Sequence, residues 1–146
     1  MTGFRKKSIV VPVDFSGGSV EAIQTALDVA ESPDQVHIVH VVMPLDQMSP
    51  GAIWGTIDDE SRVNAVNSHF SDFLQQHGFH GLDPTVRIGD PGLKITELAS
   101  EVKADLIVIP SHGYHGIKRV LLGSVTERVI RFADCPVLVL RRPDAS

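Results

Sequence analysis

Four short stretches, Ser8–Val13, Val36–Val42, Asp105–Ile109 and Val137–Leu140, are rich in valine and isoleucine and run apolar without alternation. A strand covered by helices on both faces of a parallel sheet has no side to turn toward water, so this pattern predicts four buried strands. A fifth stretch, Pro84–Ile88, alternates and predicts an edge strand. Between these runs the apolar spacing lengthens to the helical period. Val20, Ile23, Ala26, Leu27 and Ala30 share one face of Ser19–Glu31, and Val63, Val66, Phe70, Phe73 and Leu74 share one face of Asp58–His77. Leu93–Val102 follows Asp90-Pro91, an acidic N-cap and a proline suited to a first turn. Ser124–Phe132 opens with Ser124-Val125-Thr126-Glu127, the spacing of a capping box.

Strands alternating with helices predict right-handed crossovers and a single-domain α/β fold, a doubly wound five-stranded parallel sheet spanning residues 1–146. A chain of 146 residues is long enough for one core that needs no staples. With 42% apolar and 21% charged residues it is too hydrophobic for disorder. The one cysteine, Cys135, excludes an internal disulfide and a cysteine-based zinc cluster, and fits a reducing compartment. No apolar run approaches the roughly 18 residues of a membrane span, and Met1 to Lys7 lacks a hydrophobic signal core, so we expect a cytoplasmic protein without membrane insertion. A net charge of −5, no basic cluster beyond Arg5-Lys6-Lys7 or Arg141-Arg142, and 5% aromatic residues argue against nucleic acid as a partner.

Ligands of doubly wound sheets lie beyond the carboxyl ends of the strands, where strand order reverses. Two strand ends carry chemistry. The first runs through Pro12-Val13-Asp14-Phe15-Ser16-Gly17-Gly18 and delivers a carboxylate, which nearby amides could equally satisfy as a plain strand-end group. The other runs through Pro110-Ser111-His112-Gly113-Tyr114-His115-Gly116, then Lys118 and Arg119, to Gly123-Ser124 and a helix start. Glycines, basic side chains and free helix amides are the ingredients of an anion site, and equally of a solvated loop before a capped helix. Neither a Gly-Lys-Ser/Thr phosphate loop nor a Gly-x-Gly-x-x-Gly dinucleotide fingerprint occurs. His77 and His80 have metal-like spacing but no third ligand, and His37 and His40 point to opposite faces of a strand. Cys135, before Pro136, reads as a buried structural thiol. The irregular stretch Met43–Ile57, with Met48 and Trp54, reads as a lid, a binding loop or packing under a long loop.

Gly113, nine residues, Gly123-Ser124, then Glu127-Arg128-Val129 and Ala133-Asp134-Cys135-Pro136-Val137-Leu138-Val139 resemble the C-terminal signature of the universal stress protein family. Ile9-Val10-Val11-Pro12-Val13-Asp14-Phe15-Ser16 resembles that family's first strand, and His40-Val41-Val42 its second. The resemblance spans essentially the whole chain. It implies a Rossmann-like sheet of order 3-2-1-4-5 that brings both strand ends to one crevice, where nucleotide-binding members hold ATP. Carried over, Gly113, Gly123 and Ser124 meet phosphate or ribose, and Val125 and Thr126 add amide donors. Pro12, Val13 and Asp14 line the adenosine site, and the Val41 backbone reads the adenine edge. The cofactor implied is ATP, with or without magnesium, or AMP or ADP in its place, and the partner is a second copy joined through Pro136 to Arg141. Pro110 stands where the motif has its first glycine and removes one amide donor, a loss worth roughly tenfold in affinity at most. The function implied is an ATP-binding, nucleotide-dependent regulatory or stress-response protein with no catalytic residue assigned. The alternatives are a nucleotide-free dimeric interaction module and a slow ATP phosphohydrolase using Asp14 and His112 as acid or base.

Overall fold

The computed structural model of the chain describes residues 6–44, 58–111 and 122–141. Five strands, β1 (Ile9–Pro12), β2 (Val36–Val42), β3 (Asp83–Ile88), β4 (Leu106–Pro110) and β5 (Val137–Leu140), pair in parallel in the order β3-β2-β1-β4-β5. They alternate with helices α1 (Gly17–Val29), α2 (Asp59–Gln76), α3 (Pro91–Glu101) and α4 (Ser124–Phe132), and a short 3-10 turn, Pro33–Gln35, precedes β2. The doubly wound sheet and its order are those expected from the sequence.

The parity of the strand residues explains the layers. Ile9, Val11, Ile38 and Val108 turn to one face, where they bury Ala22, Ile23 and Ala26 of α1 and Phe70, Phe73 and Leu74 of α2. Val10, Val39, Ile107 and Ile109 turn to the other, against Ile95, Leu98 and Ala99 of α3 and Val129 of α4. The central strands are apolar on both sides because both sides are roofed by helix. β3, at one edge, stays only half-buried, as its alternation predicts. Among the described residues no helix is long and apolar enough to cross a membrane.

Most element ends lie within a residue or two of expectation, and three local differences carry a physical reason. α1 starts at Gly17 instead of Ser19, because the glycine pair reads as loop while Ser16 already serves as the extended N-cap, its carbonyl accepting from the Ser19 amide at 3.0 Å. Gly18 lies in close approach: a Cβ there would sit 3.3 Å from Cβ of Pro110, which would have to give way by a few tenths of an ångström. β4 extends one residue beyond Ile109, so Pro110 ends a strand and does not open a loop. At α4 the capping box is not formed. Gly123 is the N-cap, without a side-chain cap, and Ser124 is the first helical residue, which leaves its exposed hydroxyl out of the cap. The α3 start matches expectation, with Asp90 accepting from the Leu93 amide at 3.0 Å and Pro91 in the first turn.

The amino-terminal end of β1 is fastened to β4. The Asp105 carboxylate accepts from the amides of Lys7 and Ser8 at 3.0 and 3.1 Å, and the Ser8 hydroxyl donates to the Val102 carbonyl at 2.9 Å. On the second face α3 and α4 close on each other at Gly92, where a Cβ would lie 2.7 Å from Cβ of Arg128. The Arg128 guanidinium meanwhile donates to Asp90 at 2.7 Å. Gly92→Ala is therefore expected to lower unfolding free energy by about 1–3 kcal/mol through overpacking. Gly17→Ala, with nothing within 4 Å of its new methyl group, should leave stability unchanged or raise it slightly. Urea unfolding of the two variants beside the parent checks both.

Candidate functional site

Strand order reverses at β1, whose neighbours β2 and β4 feed helices on opposite faces. Beyond the carboxyl ends of these three strands lies a cleft of about 220 Å³. Seven of the ten residues singled out in the sequence line it: Pro12, Val13 and Asp14 from the end of β1, Val41 from β2, Pro110 from β4, and Val125 and Thr126 from α4. Gly123 and Ser124 adjoin it as the N-cap and first residue of that helix. Gly113 lies outside the described residues, as do His112, His115, Lys118 and Arg119 of the same segment and Met48 and Trp54 of the long stretch after β2.

The floor of the cleft is a tight turn after β1. Asp14 Oδ1 accepts three hydrogen bonds, from the Ser16 amide at 3.0 Å and from the hydroxyls of Ser16 and Ser19 at 2.5 and 2.6 Å. Ser19, fully buried, also accepts from the Asp14 amide at 2.8 Å. Burial pushes the carboxyl up, but the hydroxyls of Ser16 and Ser19 and the Ser16 amide outweigh it and hold Asp14 below its ordinary value. The turn places Phe15 at φ +66°, a region a bulky L-residue rarely enters. Its ring is seated among His40, His69, Phe70 and Phe73, with centroids 4.6–5.3 Å away, and these contacts hold a conformation that glycine would adopt without strain.

One wall is an open backbone edge. Val13 donates its amide to the Val39 carbonyl at 2.7 Å, so Val39 faces β1. Val42 faces the other way, accepting from the Gly89 amide beside β3 at 2.9 Å. With a two-residue period, the amide and carbonyl of Val41 face the β1 side as Val39 does, past the last paired residue, Pro12. Among the described residues no hydrogen bond engages either group. The Val13 carbonyl that could have met the Val41 amide is instead 2.7 Å from Nδ1 of His40.

The opposite wall is the start of α4. The amides of Ser124, Val125 and Thr126 are first-turn groups with no acceptor inside the helix, at its positive end. Gly123 already donates its amide to the Ser111 carbonyl at 2.8 Å, so its contribution to the wall is the absence of a side chain. Thr126 is buried and its hydroxyl donates to the Pro110 carbonyl at 2.9 Å, which ties α4 to the end of β4. The Pro110 ring is buried too and lies toward Gly18 of α1.

Sequence reasoning passed over Val39, His40, Pro91, Ile95 and Ile109, which also line the cleft. Strand parity was the signal for Ile109, because it shares a face with Ile107 and with α3. In the sequence His40 stands out only by its spacing to His37 and within the His40-Val41-Val42 resemblance, neither of which points its side chain to the cleft. Away from the cleft, Cys135 is partly exposed and not buried as expected, beside Ser100 and Lys103. Burial, with Asp105 and Asp134 nearby, raises its thiol above the ordinary value. Among the described residues no group of three His, Cys, Asp or Glu side chains could hold a metal ion.

The geometry has close relatives. MJ0577 of Methanocaldococcus jannaschii, a hypothetical protein whose biochemical function was assigned from its structure, superposes with a TM-score of 0.76 at 25% identity, over 95% of this chain and 98% of that one. A universal stress protein solved in complex with cAMP superposes at 0.61, also at 25% identity, over 93% of this chain and 97% of its own. In sequence, the universal stress protein MJ0531 of the same archaeon is 34% identical over 94% of this chain and 83% of its own length. The sequence model of the universal stress protein family matches residues 6–141, and this chain belongs to that family.

Proposed function

We propose that the cleft binds an adenine nucleotide, ATP first among them, and that the protein is a nucleotide-dependent regulatory component of a stress response in the cytoplasm. The observation that carries this reading is the pair of unengaged groups on Val41, at one end of a cleft whose other end is a helix N-terminus. An amide donor beside a carbonyl acceptor matches the ring nitrogen and amino group of adenine. The amides of Ser124, Val125 and Thr126, without an acceptor among the described residues, suit phosphate oxygens together with the Ser124 hydroxyl. About 220 Å³ is small against the roughly 300–1,000 Å³ of ordinary ligand pockets, so the cleft takes the base and sugar while the phosphates extend along the start of α4. Gly113 belongs with the phosphates in this reading, and magnesium accompanies them. The relative that holds cAMP supports the same class of ligand.

Asp14 is not suited to proton transfer. Its engaged, lowered carboxyl keeps the β1 turn closed and gives the ribose a fixed wall, which favours a binding protein over a phosphohydrolase. The second copy of the chain joins at β5 in this reading, which the sheet edge beside the exposed Ile130 and Phe132 of α4 supports.

Titration calorimetry with ATP, ADP, AMP and cAMP, with and without magnesium, is expected to show saturable binding, and silence at millimolar ligand would overturn the reading. Ser124→Glu should cost ATP at least about tenfold in affinity by setting a carboxylate against the phosphates, yet leave the melting temperature unchanged or higher, since an acid suits a helix start. Turnover of ATP at the typical enzyme rate of about 1–10³ s⁻¹ would replace regulation with catalysis. Because the folded Asp14 pKa lies below its unfolded value, its stabilisation is complete above about pH 4 and fades as pH falls through the folded value. Melting curves between pH 7 and pH 2 should therefore lose this part of the acid limb in Asp14→Asn. Light scattering should return the mass of a dimer, reduced to one chain by Val139→Lys; a monomeric parent would remove the β5 interface.

A further inference from the structure

The Val13 carbonyl marks the point where β1 parts from β2. In a parallel pair continued by one step it would accept from the Val41 amide, because Val13 already donates to Val39 and the residue two further on faces the same way. Its acceptor position is filled instead by His40 Nδ1 at 2.7 Å. A carbonyl only accepts, so Nδ1 carries the proton. The ring and the amide it displaces belong to consecutive residues, and the ring is seated against Phe15, on the face opposite Val39. A backbone amide beside an unpaired acceptor is driven to pair with it, and a donor already seated on that acceptor removes much of the drive.

We infer that His40 is a positioning residue: its ring occupies the Val13 carbonyl and so keeps the amide and carbonyl of Val41 open to the cleft. The consequence for ligand binding rests on the nucleotide reading above, whereas the backbone consequence does not. Phe15 takes part indirectly, since the strained turn that carries it supplies the surface on which the His40 ring rests.

Two variants separate the donor from the packing. His40→Leu keeps an apolar group against Phe15 and removes the donor; His40→Asn offers an amide nitrogen where Nδ1 stood. Amide hydrogen exchange of Val41, followed by NMR in the ligand-free protein, is expected to be fast in the parent and in His40→Asn, and slowed in His40→Leu as the strands close by one bond. ATP affinity should fall by up to about tenfold in His40→Leu alone, with inorganic tripolyphosphate binding as in the parent, because only the base reads Val41. Val41 protection that is the same in the parent and in His40→Leu overturns the inference, as does an equal loss of ATP affinity in His40→Asn. If the parent binds no nucleotide, the ligand reading falls and the exchange comparison still decides the role of His40. Should His40→Leu fail to fold, His40→Phe, which keeps a ring against Phe15, takes its place in the comparison.

Discussion

The arrangement depends on a topological constraint at β1. A strand with parallel neighbours on both sides, one feeding α2 and the other leading to α4, cannot have its carboxyl end covered, since the connections leave toward opposite faces. The hollow is thus a consequence of strand order and would exist whatever side chains lined it. Side chains decide its chemistry: apolar walls from Ile95 and Ile109, an open peptide edge at Val41, and a helix start at Ser124.

Polar groups near that hollow are sorted sharply into engaged and unengaged. Asp14, Ser16 and Ser19 satisfy one another, Thr126 satisfies the end of β4, and Gly123 satisfies Ser111. Buried polar groups are costly when left alone, so this network fixes the floor and one corner in a single arrangement. Against it, the peptide groups of Val41 and the first amides of α4 stand apart. Among the described residues, then, the polar groups around the hollow pair with one another, and the two sets without a described partner face each other across it.

Much of this was legible in the residues alone. Continuous Val and Ile runs identify strands roofed on both sides, and Asp90-Pro91 identifies a helix start, because both patterns follow from local sterics and burial. What was not legible depended on contacts between distant segments. Gly17 and Gly18 read as loop, and only the nearness of Pro110 to Gly18 gives a reason for a glycine inside the helix there. Ser124 and Glu127 have the spacing of a cap, but the N-cap is Gly123, whose amide is tied to the Ser111 carbonyl across the chain. The contact of His40 could not be read from its spacing to His37, since its partner is Val13, just past the end of β1 and distant in the chain. Pro110, read as a lost donor in a loop, is the last residue of a strand.

The Asp105 latch lies at the opposite end of β1 from the cleft. A strand held at its foot can peel apart at its tip without slipping along its neighbours, because the register has already been set below. The short β1 therefore behaves like a zip sewn at the bottom and left undone at the top, and the opening can vary in chemistry while the seam beneath it keeps every inward side chain on its proper side.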